Sequence, residues 1–306
     1  MNLLKGFFKL LICGGFAPDI DSCEVINLAS LASTYKNPPN FPATVNAAIG
    51  GLGFKENPII CGGYQNDARS NKCYSLENND WVSSASMNSV RTSAAAAQLK
   101  DGKLLVTGGE DDSGSLNSAE MLTEDGWESN IPSLPATNWG HCMVTVNSTT
   151  VMVIGGYQNG QRSGKTFYFT VGEESWTGGP ELKIKRSSHS CGKIRRNKES
   201  QEMSIIVAGG YDFSSRLSSV EILDEGSNEW QTGPELPFGI YDSQMVEDQN
   251  GGVVLIGGYS DVFLDTLYQL LHSGQDAVWT KMEQKMKTGR NAHTAFLVPD
   301  NIVDCS

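Results

Sequence analysis

The 306-residue chain lacks three features that would each assign it to a large class of proteins. No apolar run reaches the ~18–20 residues that a membrane-spanning helix needs. No stretch keeps a helical period of apolar residues, which argues against a helical bundle. Basic residues are few: 23 Lys and Arg stand against 35 Asp and Glu, giving a net charge of −12. The single basic cluster, at residues 193–198, is short and is followed by glutamates. Because nucleic-acid binding needs clustered positive charge, we expect no nucleic-acid partner.

Glycine, in contrast, is abundant, and it recurs as pairs that follow short apolar runs. The pairs begin 46 to 54 residues apart, at Gly14-Gly15, Gly62-Gly63, Gly108-Gly109, Gly155-Gly156, Gly209-Gly210 and Gly257-Gly258. The runs before them are nearly interchangeable: LLIC, PIIC, LLVT, VMVI, IIVA and VVLI. A period near ~50 is typical of a β-propeller, in which each repeat forms one four-stranded sheet, or blade. We therefore predict an all-β, six-bladed propeller that occupies residues 1–306 as a single domain.

An aromatic residue follows each glycine pair at a nearly constant distance. Five tryptophans lie 18 to 21 residues past the second glycine, and a tyrosine takes that place in the first repeat: Tyr35, Trp81, Trp127, Trp176, Trp230 and Trp279. We interpret these residues as packing anchors between blades rather than as a stacking site for a ligand.

The whole pattern resembles the kelch repeat, with an apolar strand ending in Gly-Gly, a polar loop, a short apolar strand and a spaced aromatic residue. The resemblance extends over essentially the whole chain. It is greater to secreted, propeller-only kelch proteins of invertebrates than to intracellular adaptors.

The first glycine pair has no inner strand before it, because the chain begins at Met1. The segment at 290–298, RNAHTAFLV, matches the inner strands of other repeats in register, and we expect it to complete the first blade beside residues 9–13. The residues before Ala17 also faintly resemble a signal peptide. Lys9 interrupts that apolar region, and we favour the strand. His141, His189 and His293 share one repeat position in different blades, so we expect structural histidines and no metal site.

In an antiparallel blade, the loops between strands two and three lie on the same side as the loops that lead from strand four to the next blade. We call this side the loop face and expect it to bind a partner. Its charged candidates are Asp67, Arg69, Glu110, Asp111, Asp112, Arg162, Asp212, Arg216 and Asp261. Their acidic bias indicates an electronegative surface that would attract a basic protein partner. The alternative is ordinary solvated turns, in which Asp is common.

Two cysteine pairs recur at matching places in two repeats. Cys13 and Cys61 each precede a glycine pair, and Cys23 and Cys73 each open a third strand. Directly opposed residues of neighbouring strands approach disulfide geometry, which predicts the bridges Cys13–Cys23 and Cys61–Cys73. The alternative is buried free thiols. The pairing of Cys142, Cys191 and Cys305 stays open.

Asn147 begins the glycosylation sequon Asn-Ser-Thr in an expected turn. Together with the paired cysteines, the sequon favours an extracellular, oxidising compartment. A cytoplasmic location is the alternative, since no clean signal peptide is visible.

The kelch resemblance implies a non-catalytic scaffold that holds a partner on the loop face, with no cofactor and no catalytic residue. Two variants of this function are a substrate-binding module of a cullin ubiquitin-ligase adaptor and an actin-binding protein. A kelch-fold carbohydrate enzyme such as a mutarotase is the alternative from another class, because it needs only a few polar residues in the channel. A small-molecule ligand in the channel therefore stays open.

Overall fold

The computed structural model describes residues 9–16, 21–28, 38–53, 56–99, 101–197 and 199–299. Its main sheets are antiparallel and follow the predicted repeat. Numbered by their glycine pairs, blades 2, 3 and 4 have the strands Ile49–Leu52, Pro58–Cys61, Cys73–Glu77 and Asp80–Ser84; Ala95–Gln98, Leu104–Thr107, Ala119–Thr123 and Gly126–Ile131; and Cys142–Thr145, Thr150–Ile154, Thr166–Thr170 and Thr177–Gly178.

The remaining blades repeat this order. Blades 5 and 6 have the strands Ser190–Arg195, Met203–Ala208, Val220–Leu223 and Gln231–Thr232; and Gln244–Glu247, Val253–Ile256, Thr266–Leu270 and Thr280–Lys285. Blade 1 contains Thr294–Val298, Lys9–Cys13 and Cys23–Asn27 among the described residues. Short strands on the loop face add small sheets: Val45–Asn46, Tyr64–Gln65 and Ala68–Arg69; Glu110–Asp111 and Gly114–Ser115; Asn138–Trp139, Tyr157–Gln158 and Gln161–Arg162; and Tyr259–Ser260 and Val262–Phe263.

The C-terminal strand completes the first blade. Thr294–Val298 pairs antiparallel with Lys9–Cys13, and Leu11 lies directly opposite Phe296. The strand interpretation of residues 9–13 is thus confirmed, and the pairing is consistent with the predicted closure of the first blade. The first strand of each blade also contacts the first strands of both neighbouring blades, which makes a closed circle of six.

A ring of backbone hydrogen bonds ties the six blades together at the axis. Each blade is entered through one residue with a φ between 49° and 59°, and we call these the ring residues: Ala47, Ser93, Gly140, Ser188, Asp242 and Ala292. The N–H of each donates to the carbonyl of the ring residue one blade earlier, at 2.7–3.0 Å, and Ala47 closes the circle on Ala292. A left-handed φ is costly for a residue with a Cβ, so tertiary contacts must hold it in place.

The repeated tryptophans contact the preceding blade in one way. The indole N–H of each donates to a backbone carbonyl at the start of the loop from that blade, at 2.8–3.1 Å; the pairs are Trp81 to Pro39, Trp127 to Ala85, Trp176 to Pro132, Trp230 to Pro180 and Trp279 to Pro234. Four of these tryptophans are buried and Trp127 is partly buried. The structure thus places them where packing anchors are expected. Tyr35 lies outside the described residues.

The three repeat-encoded histidines also pack between blades. A Cβ added to Gly155 would lie 2.7 Å from Cε1 of His189, and His141 and His293 approach Gly108 and Gly257 in the same way. The glycine therefore leaves the space that the imidazole fills. Burial lowers the pKa of all three histidines to about 3, so they are neutral at physiological pH. Within the described residues, no cluster of three or more His, Cys, Asp or Glu side chains could hold a metal ion.

The blades alternate in their buried chemistry. In blades 1, 3 and 5, an arginine two residues before the ring residue pairs with a glutamate of strand three; the pairs are Arg290–Glu24, Arg91–Glu120 and Arg186–Glu221. In blades 2, 4 and 6 the same two positions hold Val45 and Tyr74, Asn138 and Phe167, and Ile240 and Tyr268. The structural repeat is therefore a two-blade unit that occurs three times.

Candidate functional site

The loop face carries an aromatic belt across blades 4, 5 and 6. It consists of Trp139, Tyr157, Tyr211, Tyr241, Tyr259 and Phe263. Ring centroids of consecutive members lie 5.0–5.9 Å apart, except between Tyr157 and Tyr211. There the guanidinium of Arg162 lies 5.8 Å from one ring and 4.8 Å from the other, within the range of a cation–π contact.

Three of the six belt members, Tyr157, Tyr211 and Tyr259, arise from the repeat. The residue that follows each glycine pair is aromatic in five of the six blades, namely Phe16, Tyr64, Tyr157, Tyr211 and Tyr259, and Glu110 is the exception. Because the glycine pair ends strand two at the loop face, each of these side chains begins the loop that follows. The repeat thus presents aromatic side chains around the axis.

Three arginines of the loop face act on an aspartate of the next blade, two of them by direct contact and the third through its charge. Arg69 contacts Asp112 at 3.3 Å, and Arg216 donates a short hydrogen bond to Asp261. Hydrogen bonds from the backbone of Ser214 and Ser215, and then the charge of Arg162, lower the pKa of Asp212. The aspartates that suggested an electronegative surface are therefore partly neutralised on the surface itself.

Other predicted residues of this face hold turns. Asp111 Oδ1 accepts the backbone N–H groups of Ser113 and Gly114. Asp67 and Asp261 have positive φ values of 62° and 67°, which Asp tolerates in tight turns. Glu110 lies opposite Ser115 in a two-stranded hairpin. These contacts account for the abundance of aspartate without a ligand.

Four exposed apolar side chains lie on blades 5, 6 and 1 of the same face. Phe213 is 68% exposed, Val262 60%, Phe16 47% and Phe263 45%. Phe263 is itself a member of the aromatic belt, and Val262 follows Asp261 of the pair Arg216–Asp261 in the chain. Large exposed apolar side chains beside an aromatic belt make this part of the loop face the candidate protein-binding surface.

The axial channel opens at this face into a cavity of about 220 Å³. All six ring residues line it, together with Phe16, Tyr64 and Trp139. Among the lining residues that the structure describes, Asp242 has the one carboxyl group. Burial raises its pKa to about 6, against the smaller effect of a hydrogen bond from Ser188.

A second cavity, of about 770 Å³, opens at the opposite face, where the turns between strands one and two lie. Met143, Met245 and Phe296 give it apolar walls. Glu247 accepts the backbone N–H of Lys193 at 3.1 Å, and burial raises the pKa of its carboxyl group. Glu247 and Asp242 therefore line separate cavities and do not converge on one reacting centre.

Comparison with known proteins agrees with this architecture. The family model described as the Kelch motif matches residues 204–237, which run from strand two of blade 5 past its strand four. A solved structure titled "Structure of YjhT" superposes with a TM-score of 0.71 at 14% identity and covers 86% of this chain and 91% of that one. The chain is a kelch-repeat β-propeller. It is similar to 461 solved chains, so the fold alone does not identify a partner. No curated protein is found to match its sequence.

Three cysteine pairs of the kelch propeller lie at disulfide distance. The predicted pairs Cys13–Cys23 and Cys61–Cys73 have Cα atoms 4.2 and 4.1 Å apart, as directly opposed residues of strands two and three. The third pair, Cys142–Cys191, joins the first strands of blades 4 and 5 and lines the channel. Sequence reasoning left this pair open because it joins neighbouring blades rather than hairpin strands. Cys305 lies outside the described residues.

The sequon residue Asn147 is exposed in the turn between strands one and two of blade 4. Its Oδ1 accepts the backbone N–H groups of Thr149 and Thr150. It lies on the opposite face, at the rim of the larger cavity. A glycan there would leave the loop face free.

The prediction from sequence missed Asp242, Trp139, Tyr241 and Phe213. An alignment of the ring residues across the six repeats would have marked Asp242 as the one acidic member. The aromatic residue after each glycine pair was a second signal.

No membrane-crossing helix is found in the part of the chain that the structure describes.

Proposed function

We propose that this kelch propeller is a non-catalytic interaction module that binds a protein partner through the loop face of blades 4, 5, 6 and 1. The observation that carries the proposal is the exposure of Phe16, Phe213, Val262 and Phe263 on the face that holds the aromatic belt. Tyr, Trp and Arg are the residues that most often dominate binding energy at protein interfaces. The Trp and Tyr side chains of the belt and Arg162 are already ordered by contacts with one another, so they lose little side-chain entropy on binding.

The separation of the buried ionisable groups supports binding rather than catalysis. A catalytic centre needs a nucleophile, acid or base within reach of one reacting atom. Asp242 and Glu247 line different cavities, and Arg91 and Arg186 donate to glutamates and backbone carbonyls inside their blades. No observation favours the carbohydrate-enzyme alternative over the binding module.

We further propose that the protein works in an oxidising, extracellular compartment. Three cysteine pairs at disulfide distance and the exposed sequon at Asn147 support this location. Extracellular binding modules recognise partners by surface contact, which agrees with the interaction proposal.

The test compares variants of two faces as affinity baits. Phe213→Ser with Phe263→Ser removes the apolar side chains of the loop face. Val278→Ser is the matched control, because Val278 is 71% exposed between strands three and four of blade 6, on the opposite face. We expect partners enriched by the wild type to be retained by the control and lost by the double variant. Loss with Val278→Ser and retention with the double variant would refute the proposal.

A further inference from the structure

The cavity at the loop-face end of the channel has the composition of a site for a cation. Phe16, Tyr64 and Trp139 line it above the ring residues, and aromatic faces attract cations. Asp242 supplies a carboxylate among the ring residues, and Asn291 donates to its Oδ2 at 3.4 Å. Asn46 also lines the cavity, and its buried Oδ1 has no hydrogen-bond partner. The walls thus combine aromatic faces with two oxygen acceptors.

None of the described side chains that line the cavity supplies the charge that would balance Asp242. His141, His189 and His293 are the other ionisable lining groups besides Tyr64, and the buried histidines stay neutral. A partly buried carboxylate without a counter-charge carries a desolvation cost, and a cation from outside offsets that cost. The charge balance of the cavity therefore calls for a positively charged occupant.

The volume restricts how large that occupant can be. About 220 Å³ is roughly seven times the ~30 Å³ that one water occupies in the liquid. Such a space admits one extended side chain. A long aliphatic stem with a terminal charge suits aromatic walls that lead to a carboxylate.

We propose that this cavity receives one lysine or arginine side chain of the protein partner, whose cationic group pairs with Asp242 while its stem lies between Trp139, Tyr64 and Phe16. The inference rests on the proposed function and specifies which group of the partner, a cationic side chain, binds in the channel. The acidic group that attracts a basic partner is then Asp242 in the channel rather than the surface aspartates, whose charge Arg69, Arg162 and Arg216 partly neutralise.

Trp139 provides a direct reporter. The other five tryptophans stand at the repeat position and donate their indole N–H groups to the preceding blade. Trp139 stands outside that position and lines the cavity. Its indole resonance in a ¹⁵N correlation spectrum is assigned with Trp139→Phe. The probes are N-acetyl-lysine amide and N-acetyl-arginine amide, with N-acetyl-norleucine amide as the neutral control of similar length. We expect at least one cationic probe to shift the Trp139 resonance saturably, and the norleucine probe to cause no saturable shift.

Two matched acid-to-amide variants locate the charge. Asp242→Asn should weaken the cationic probe at least tenfold, whereas Glu247→Gln, in the other cavity, should leave it unchanged. Asn tolerates a φ of 50°, so the fold should persist. Folding raises the pKa of Asp242 and so prefers its neutral form. Asp242→Asn should consequently melt at or above the wild-type temperature at pH 7.5. For the same reason, probe binding should fade as the pH falls through about 6.

An equal response to norleucine, no saturation by either cationic probe, or unchanged binding to Asp242→Asn would overturn the inference. The interaction proposal has a separate outcome. Suppose that Phe213→Ser with Phe263→Ser loses the partner while Asp242→Asn binds it with unchanged affinity. The loop face then binds the partner, but the channel cavity does not bind a cationic side chain of it.

Discussion

Glu221→Gln in blade 5 tests the buried pairs that alternate with apolar blades. Glu221 is 2% exposed and Arg186 is 0% exposed. The carboxylate accepts Arg186 at 2.8 Å and the backbone N–H groups of Lys183 and Ile184 at 2.7 and 3.1 Å. The glutamine amide at position 221 has no negative charge, and its N–H groups face the donors of Lys183, Ile184 and Arg186. The Arg186 guanidinium, meanwhile, stays charged and buried.

The expected loss is that of breaking a buried ion pair, about 3–5 kcal/mol. At ~2.1 cal/mol/K of unfolding entropy per residue, a 306-residue chain melts about 5–8 °C lower for that loss. Scanning calorimetry at pH 7.5 measures this shift, with scan-rate controls for irreversibility.

The control is the same substitution at an exposed pair of the same blade. Glu229 lies 3.2 Å from Lys183, with side chains 79% and 47% exposed. Glu229→Gln should change stability by less than ~0.5 kcal/mol, or about 1 °C. If Glu221→Gln and Glu229→Gln melt within 1 °C of each other, the buried pairs do not stabilise the blades as argued.

Three further predictions concern the ring and its covalent links. Trp230→Phe should lower the free energy of unfolding by about 2–4 kcal/mol, because the Pro180 carbonyl loses its buried indole donor and a cavity forms. Trp139→Phe on the loop face should change it by no more than ~0.5 kcal/mol, and urea unfolding measures both. Deleting residues 290–306 exposes the edge of strand Lys9–Cys13 and should give aggregated protein on size exclusion; a soluble, cooperatively melting product would contradict closure. In denatured but unreduced protein from a secretory host, the six cysteines of the three pairs should resist alkylation, and Asn147 should carry a glycan that glycosidase removes; free thiols and an unmodified Asn147 would contradict the proposed compartment.

The repeat was readable from sequence because its physical causes are local. A glycine pair with positive φ at the end of each second strand, and a buried apolar run before it, recur in every blade. The closure by Thr294–Val298 followed from counting inner strands. The pairs Cys13–Cys23 and Cys61–Cys73 were predictable since both partners belong to one hairpin.

Contacts between blades were harder to predict because they join residues about one repeat or more apart. The pair Cys142–Cys191 and the bridge from Arg216 to Asp261 depend on how neighbouring blades pack. The place of Asp242 at the axis depends on all six ring residues together. Counting charges on the loop face therefore indicated an acidic surface, whereas the structure pairs several of those charges and places one further carboxylate, that of Asp242, partly buried in the channel.

Site-specific photo-crosslinking tests the proposed binding face most directly. A photoreactive phenylalanine replaces Phe213 on the loop face or Val278 on the opposite face, and each protein is irradiated in the secretions in which its partner is present. We expect Phe213 to yield a defined crosslinked species that excess unlabelled propeller competes away, and Val278 to yield none. A competed crosslink from Val278, with none from Phe213, would show that the partner binds elsewhere.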